Sequence, residues 1–299
     1  AMNDAMWAHP ATQANVRTLR ERGATVLEPG SGRLASAGEA GPGRLPEAAE
    51  LLAAIEGLLG VGGTDLSPAQ QPLAGVRVLV TAGGTREPID AVRFVGNRSS
   101  GRMGFALAEQ AAALGAEVTV VAANVTLPRD PRVHYVDVET AAQLHEACAA
   151  AFERADVLLM AAAVADFRPA RSFAGKLKKA PGDERMRVEL ERTPDILAGL
   201  AATRRDDQTL VGFAAEHGEG AIERGREKLA RKRVDAVVVN DIARTDIGFG
   251  SADNEVTILT AAGETHVART SKAEVARAVL DAVILLRVLA ETETTGAAS

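Results

Sequence analysis

The sequence predicts an α/β protein with a Rossmann-like, mostly parallel sheet, helices on both faces and a late β-hairpin, preceded by a short fragment of another α/β domain. From about residue 76 onward, apolar and β-branched runs alternate with helix-length segments. Continuous apolar strands separated by such helices are typical of a parallel sheet covered on both faces. Aromatic residues make up only 3% of the 299 residues. The core must therefore rest on Val, Leu, Ile and Ala, which suits helices packed on a sheet.

Six runs are predicted as strands because they are short, apolar and rich in β-branched residues. They are Val76–Thr81, Glu117–Ala122, Val133–Val136, Val157–Ala162, Leu210–Ala215 and Ala236–Val239. Five segments with helical spacing of apolar residues are predicted as helices. They are Gly101–Leu114, Ala141–Arg154, Pro194–Ala201, Gly218–Arg231 and Lys272–Leu289. Late in the chain, "EVTILTAAGETHVA" predicts a hairpin with its turn in "AAGE".

Composition divides the chain into four segments. Residues 1–60 are predicted to be the end of an α/β domain, because "HPATQANVRTLRERGATVLEP" is typical of a short helix, a glycine stop and a strand. A glycine-rich loop and an amphipathic helix follow, and the unit is too short to bury a good core by itself. Residues 61–74 are a predicted linker, 75–290 the main domain and 291–299 a disordered tail.

Charge and cysteine content argue against several classes of function. The formal net charge of −6 does not fit a nucleic-acid-binding face. The mixed-sign stretch "ERGREKLARKR", residues 223–233, is interpreted as a solvated helix face. No apolar run of about 18 residues predicts a membrane span. Cys148 is the only cysteine and is predicted to be a small buried residue, and a cytoplasmic location is expected.

The loop after the first strand is a candidate ligand site, because ligands of open parallel sheets bind beyond the carboxyl ends of the strands. Gly83 and Gly84 permit a sharp turn and a close approach to a ligand. In "GNRSSG", Ser99 or Ser100 could cap the next helix, whose free N–H groups would attract an anion beside Arg98. The alternative interpretation is a capped helix next to an ordinary surface loop.

A second candidate loop lies in "LLMAAAVADFRPA", residues 158–170. Its small residues would let a flat base lie against the backbone, with the amide and carbonyl groups of Ala163 and Ala165 reading the base edge. Asp166, before Phe167, could bind ribose hydroxyls or a metal ion. Alternatively, Asp166 is a turn or cap residue.

Two further features favour a ligand that carries phosphates. In "GKLKK", residues 175–179, Lys176 and Lys178 share one face of an extended segment, although a surface loop is the alternative. Thr193 as N-cap with Pro194 as the first helical residue predicts a second anion-binding helix start. Together the loops indicate a nucleoside triphosphate with Mg²⁺, in a protein that lacks a P-loop motif.

Two other functions stay open on the residues alone. An NAD(P)-dependent oxidoreductase on a similar sheet is favoured by the glycine turn after the first strand. The missing G-x-G-x-x-G and the absence of a clear catalytic His or Tyr argue against it. A non-catalytic alternative is that residues 1–60 act as an assembly module.

Six motifs carry a resemblance to a known family. They are "VLVTAGGTREPIDAVRFVGNRSSGRMG", "AAAVADFRP", "KLKK", "TPDIL", "VGFAAE" and "VVVNDI", in this order. The chain resembles phosphopantothenoylcysteine synthetase over about residues 75–285, in the bacterial form fused behind a decarboxylase. Residues 1–60 resemble the end of that flavodoxin-like phosphopantothenoylcysteine decarboxylase, whose decarboxylase Asn is matched by Asn3. "GPGRLPE" is similar to its substrate clamp, but the usual active-site Cys is absent from this loop.

The resemblance implies CTP-dependent ligation of cysteine to 4′-phosphopantothenate through an acyl-cytidylate, giving 4′-phosphopantothenoylcysteine, CMP and pyrophosphate. It assigns Asn97 to the conversion of the acyl-cytidylate and Lys176 to its formation. The segment from Ala163 to Phe167 would read cytosine, and Asp166 would bind ribose or the metal. The further implied CTP contacts are Gly83, Gly84, Ser99, Lys179, Thr193, Pro194, Asp195 and Phe213. The implied substrate-binding neighbours are Arg98, Asn240 and Asp241, together with Asn97.

The same resemblance implies partners and cofactors. Mg²⁺ would accompany CTP, whereas FMN would belong only to a decarboxylase part missing from this chain, so we do not expect this chain to decarboxylate. A homodimer through the ligase domain is expected, with a larger oligomer when a complete decarboxylase is fused to it. The region from Arg86 to Arg98 is the candidate for part of a lid over the other subunit's site.

Overall fold

The computed structural model describes two compact units. The described residues are 2–33, 40–46, 51, 54–55, 71–178, 184, 186–216, 218, 220–241 and 253–297. The units are Ala1–Ser67 and Pro68–Ser299. The division between them falls inside the stretch predicted as a linker, most of which lies outside the described residues.

The first unit is described chiefly over residues 2–33 and 40–46, which form two helices and a hairpin, while most of the predicted amphipathic helix lies outside the described residues. Helix α1 is Asp4–Ala8, α2 is Pro10–Glu21, and strand β1 (Gly30–Arg33) pairs antiparallel with β2 (Ala40–Arg44). The predicted helix is present as α2, but the strand predicted in "ATVLEP" does not form. The guanidinium of Arg20 donates to the Val26 carbonyl at 2.9 Å and to the Glu28 carboxylate at 2.8 Å. These bonds hold the segment beside the helix instead of in a sheet.

The second unit is built on one eight-stranded sheet. Its strands are β3 (Arg77–Gly83), β6 (Glu117–Ala123), β7 (His134–Val138), β8 (Val157–Met160), β11 (Thr209–Glu216), β12 (Ala236–Asp241), β13 (Asp253–Thr260) and β14 (Gly263–Ser271). Their spatial order is β14-β13-β12-β11-β8-β3-β6-β7. The six from β7 to β12 are parallel, and the late hairpin β13–β14 adds an antiparallel edge.

The chain order of the parallel strands reverses between β3 and β8. From β3 the chain first builds outward through β6 and β7, and it then returns to the other side of β3 for β8, β11 and β12. Doubly wound sheets bind ligands at such a switch point, beyond the carboxyl ends of the strands. The predicted Rossmann-like sheet and its hairpin are confirmed, with strand ends displaced by one or two residues.

Helices cover both faces of this sheet. They are α3 (Arg102–Ala113), α4 (Ala141–Phe152), α5 (Ile196–Ala202), α6 (Ala221–Lys232) and α7 (Lys272–Ala297). On one face, Phe105 and Leu107 of α3 and Leu280 of α7 pack on β3 and β6. On the other face, α4, α5 and α6 pack on the opposite side chains of the same strands. Cys148 is fully buried there, and burial raises the pKa of its thiol to about 12, as expected of a structural residue.

Helix ends differ from the prediction by up to three residues, except that α7 ends eight residues later than predicted. Helix α5 begins at Ile196 and not at Pro194, because Asp195 is the N-cap and its carboxylate accepts the Ala198 N–H at 3.1 Å. Helix α6 begins at Ala221, after Gly220 in the left-handed region. Helix α7 continues past Leu289 to Ala297, through most of the segment predicted as a tail. Residues 298–299 lie outside the described part of the chain.

Two small antiparallel sheets lie outside the main sheet. Strand β4 (Arg86–Pro88) pairs with β5 (Phe94–Gly96), and β9 (Phe167–Pro169) pairs with β10 (Leu190–Arg192). The predicted lid region, Arg86 to Arg98, is thus a short hairpin with the loop that follows it. None of the helices in the described ranges combines the length and the apolar character needed to span a membrane.

Gly83→Ala is expected to lower the free energy of unfolding by about 3–5 kcal/mol. Gly83 has φ +85°, and a Cβ added there would lie 2.0 Å from the Ala123 carbonyl oxygen. Both the backbone strain and the overlap must then be relieved by moving β6. Urea unfolding measures the change.

Gly199→Ala is the matched control for this substitution. Gly199 lies inside α5, and a Cβ added there meets no atom within 4 Å. The control is expected to stabilise the protein by about 0.5–1 kcal/mol, because alanine is the better helix former. Equal losses of stability in both variants would contradict the assignment of strain to Gly83.

Candidate functional site

The switch point is closed by hydrogen bonds between the loops that follow β3 and β8. Gly84 forms a parallel bridge with Ala163. The Ala163 N–H donates to the Gly83 carbonyl at 2.8 Å, and the Thr85 N–H donates to the Ala163 carbonyl at 3.2 Å. The Ala165 N–H donates to the hydroxyl of Thr85 at 2.9 Å. The two predicted ligand loops therefore form one continuous wall.

This wall corrects the predicted reading of a base edge. The N–H groups of Ala163 and Ala165 are both used inside the protein, so neither is free for a ligand. The hydroxyl of Thr193 donates to the Ala165 carbonyl at 2.5 Å, and the Thr193 N–H donates to the Asp166 carbonyl at 3.0 Å. Thr193 therefore anchors the loop and does not cap a helix. The carbonyl oxygens keep a second lone pair that can accept from a ligand.

A cavity of about 990 Å³ lies against this wall. It is large enough for a nucleotide together with a second small substrate. Eleven of the predicted site residues line it. They are Asn97, Arg98, Ser99, Ala163, Asp166, Phe167, Thr193, Pro194, Asp195, Phe213 and Asn240.

The polar loop after β5 forms one side of the cavity. The Asn97 side chain donates from Nδ2 to the Val164 carbonyl at 3.0 Å. This bond fixes the amide beside the loop that carries Asp166. Neither Ser99 nor Ser100 caps α3 as predicted, because Gly101 is the N-cap, with φ +77° and no capping side chain. Ser99 instead accepts the Gly101 N–H at 3.3 Å, which shapes the loop.

Helix α6 places two lysines in the cavity. Lys228 and Lys232 are four residues apart and therefore lie on the same face, and both line the cavity. Lys228 donates to the Phe213 carbonyl at 2.5 Å, and Lys232 is paired with the Asp195 carboxylate. The interpretation of residues 223–233 as a solvated face was wrong for this side of the helix. The spacing of the two lysines after a strand-end loop is the signal that could have identified them.

Burial affects the pKa of both lysines. It lowers the pKa of Lys228, an effect that Glu216 and Asp166 partly oppose. Burial likewise lowers the pKa of Lys232, while the Asp166 carboxylate raises it. A cation that is poorly hydrated in the free protein gains more than a surface lysine from binding an anion. This side of the cavity is therefore suited to phosphate.

Strands β12 and β13 close the other end of the cavity with the first residues of α3 and α7. Arg102, Lys272 and Asn254 line it there. Lys272 donates to the Asp253 carbonyl at 3.2 Å, and burial lowers its pKa, with the neighbouring Arg102 lowering it further. Among the described residues, the buried Oδ1 of Asn240 has no hydrogen-bond partner. Asn240 was predicted here, whereas Arg102, Asn254 and Lys272 were not, because their place depends on the return of the late hairpin.

Of the predicted residues of the second unit whose side chains the structure describes, four do not line the cavity: Gly83, Gly84, Ala165 and Lys176. Gly83 and Gly84 support its wall from behind. Lys176 is exposed and does not line the cavity within one chain. Lys179 and the side chain of Asp241 lie outside what the structure describes. Asn3 belongs to the first unit, where its side chain accepts the Ala5 N–H and caps α1.

A dedicated protein metal site is not evident at the cavity. In the described part of the chain, no three His, Cys, Asp or Glu side chains cluster as metal ligands. Asp166 and Asp195 nevertheless line the same cavity. Mg²⁺ is commonly held by one or two carboxylates together with substrate phosphates. The residues therefore fit an ion that arrives with a nucleotide.

Two models of known protein families match parts of this chain. Residues 73–286 match the model of the DNA/pantothenate metabolism flavoprotein C-terminal domain. Residues 1–60 match the flavoprotein model.

Individual relatives cover most of the chain. It is 45% identical over 293 residues to the coenzyme A biosynthesis bifunctional protein CoaBC of Mycolicibacterium smegmatis, covering 95% of this chain and 69% of that protein. It is 43% identical over 260 residues to a protein named cysteine/cysteine sulfinic acid decarboxylase, from an unknown prokaryotic organism, covering 87% and 70%. A crystal structure of the C-terminal domain of CoaBC aligns with a TM-score of 0.61 and 37% identity, over 72% of this chain and 97% of that chain.

The predicted resemblance is confirmed by these matches. The first family model covers well over half of the chain, and the bifunctional relative is similar along almost all of it. The chain therefore belongs to the DNA/pantothenate metabolism flavoprotein C-terminal domain family, with a flavoprotein segment ahead of that domain.

Proposed function

We propose that the second unit acts in coenzyme A biosynthesis as a CTP-dependent ligase that joins cysteine to 4′-phosphopantothenate. The cavity at the switch point supports this proposal, because it places phosphate-binding lysines, a carboxylate and a fixed amide donor around one space. The names of the bifunctional relatives and the family match support a role in coenzyme A biosynthesis. An NAD(P)-dependent reaction has no comparable support among these residues.

In the first step, a carboxylate oxygen of 4′-phosphopantothenate attacks the α-phosphorus of CTP. The bond from that phosphorus to the bridging oxygen breaks, and pyrophosphate leaves with the electron pair. Lys228 and Lys232 are positioned to neutralise the charge that develops on the leaving group. Lys176 would help to neutralise this charge if it enters the cavity from outside. The product is an acyl-cytidylate, a mixed anhydride.

In the second step, the amine of cysteine attacks the acyl carbon of this anhydride. The carbon–oxygen bond to the cytidylate breaks, CMP leaves, and the nitrogen loses a proton as the amide forms. The Nδ2 of Asn97, held by the Val164 carbonyl, can donate to the acyl oxygen as negative charge builds on it. The closed wall behind the cavity limits the access of water to the anhydride.

Mg²⁺ with CTP fits the charges of the cavity. Asp166 would hold the ion beside the triphosphate, where it would neutralise phosphate charge. The lysines of α6 keep their own role in binding the phosphates. FMN would belong to the flavoprotein part of the fused relatives, and we propose no decarboxylation by this chain.

We further infer a homodimer through the two small sheets. Five apolar side chains on these sheets and in the loops beside them are 43–62% exposed, namely Val92, Phe94, Phe167, Phe173 and Leu190. Exposed apolar groups in one region are typical of an interface. Lys176 lies between Phe173 and Leu190 in the chain, so a second copy could bring its Lys176 to the cavity.

The protein is expected to release pyrophosphate and CMP when it is given CTP, Mg²⁺, 4′-phosphopantothenate and cysteine. Without cysteine, pyrophosphate release should stop near one equivalent per site, because the acyl-cytidylate stays bound. A comparison of CTP with NADPH in calorimetry supplies the binding control. Folded protein that binds NADPH and releases no pyrophosphate would contradict the proposal.

A further inference from the structure

A single buried carboxylate joins two distant segments beside the cavity. The side chain of Asp90, between β4 and β5, is 0% exposed. Its Oδ1 accepts the N–H groups of Val92 and Arg93, both at 2.8 Å. Its Oδ2 accepts the Arg93 guanidinium at 2.7 Å and the Leu177 N–H at 3.2 Å. The four acceptor positions of a carboxylate are thereby filled.

The two segments joined in this way carry residues of the two proposed steps. Arg93 lies four residues before Asn97, directly before the strand that leads to it. Leu177 lies directly after Lys176, whose side chain is exposed. The Phe173 N–H also donates to the Ile89 carbonyl at 3.1 Å. The chain from Phe173 to Leu177, which contains Lys176, is therefore bonded to the hairpin at two points.

We propose that Asp90 is a positioning residue that holds the segment of residues 175–178 against the β4–β5 hairpin. Lys176 and Asn97 are then presented in a fixed relation to each other. The bonds themselves do not depend on the reaction, whereas the consequence for catalysis rests on the proposed function. Asp90 itself contacts neither the cavity nor any proposed reacting group.

The ionised form of Asp90 suits this role. Burial raises its pKa, but the N–H groups of Val92, Arg93 and Leu177 and the charge of Arg93 lower it, and the pKa lies below its ordinary value. In Asp90→Asn, the amide oxygen can still accept from Val92 and Arg93. The NH₂ group then faces two donors, the Leu177 N–H and the Arg93 guanidinium. The variant should therefore release the lysine segment and preserve the turn.

Amide hydrogen exchange on the unliganded full chain tests the bond directly. Asp90→Asn is expected to speed exchange at Leu177 by about tenfold, because one charge-assisted hydrogen bond is lost. Exchange at Val92 should change less. Unchanged exchange at Leu177 in folded Asp90→Asn protein would overturn the proposal.

Asp156→Asn is the matched control. The Asp156 carboxylate also accepts a backbone N–H, from Arg77 at 2.9 Å, and it pairs with the guanidinium of that residue at 2.7 Å. It lies directly before β8, at the end of the strand away from the cavity. This control should leave exchange at Leu177 unchanged.

A double-mutant cycle tests the consequence for the first step. Pyrophosphate release is compared among wild type, Asp90→Asn, Lys176→Gln and the double variant. If Asp90 acts through Lys176, the double variant should be no slower than Lys176→Gln. If the rate losses of the two single variants instead multiply in the double variant, the link to Lys176 is overturned. A wild type that releases no pyrophosphate would instead count against the proposed function, and the exchange result would still decide the role of Asp90.

Discussion

Asn97→Asp is expected to release the first equivalent of pyrophosphate at nearly the wild-type rate, while amide formation falls by about 10²- to 10³-fold. The substitution replaces the Nδ2 donor, which lies 3.0 Å from the Val164 carbonyl, with a carboxylate oxygen. That oxygen would repel both the carbonyl and the negative charge that develops during attack by the amine. Rapid quenching followed by mass spectrometry should detect accumulated acyl-cytidylate.

Lys176→Gln should show the opposite defect. Its loss of charge should slow pyrophosphate release, and little acyl-cytidylate should accumulate. The same defect in both variants would contradict the division of roles between Asn97 and Lys176. Circular dichroism and thermal unfolding of each variant serve as controls for folding.

Mixing the two variants tests the proposed dimer. If Lys176 of one subunit serves the cavity of the other, a mixed dimer contains one site with both wild-type residues. Activity should then rise after subunit exchange, although each variant alone is defective. No recovery in a dimer shown to be mixed would place both residues in the same chain.

The fold could be predicted because it depends on local patterns. Strands β3, β8 and β11 are apolar runs that only a sheet covered on both faces can bury, as Leu79, Leu158 and Leu210 show. Their alternation with helices then restricts the connection to a doubly wound sheet. In contrast, "ATVLEP" has the composition of a strand but lies along α2, because the side chain of Arg20 satisfies its backbone.

The site could be predicted only where its residues follow strands directly. Asn97 and Asp166 lie on such loops, and the structure brings them to one cavity. Thr193 was wrongly expected to cap a helix, because the sequence cannot show that its hydroxyl is used by the Ala165 carbonyl. Lys272 could not be predicted, since its place depends on how α7 returns against the hairpin. The resemblance supplied roles for Asn97 and Lys176 that the residues alone left open.

Lys228→Met is expected to weaken CTP binding by about 10- to 100-fold, because a charge-assisted contact to phosphate is lost. Arg231→Met removes the same charge from an exposed position on the same helix. It is not among the residues lining the cavity, and should change binding little. Isothermal titration calorimetry compares the three proteins. Equal losses in both variants would point to the net charge of the helix instead of to the cavity.

The pH dependence of CTP affinity and of stability provides a second test of the role of Lys228. Burial lowers its pKa in the free protein, and bound phosphate should raise it again. CTP affinity should therefore fall as the pH rises through the lowered pKa toward the ordinary lysine value of about 10.4. In the same pH range the unfolded chain binds more protons than the folded protein, so the free energy of unfolding without CTP should rise. In the wild type, CTP affinity and the free energy of unfolding thus change in opposite directions as the pH rises. Both pH dependences should be shallower in Lys228→Met, where Lys232 is the remaining lysine of α6 in the cavity wall. Unchanged slopes in this variant would show that Lys228 does not bind the triphosphate.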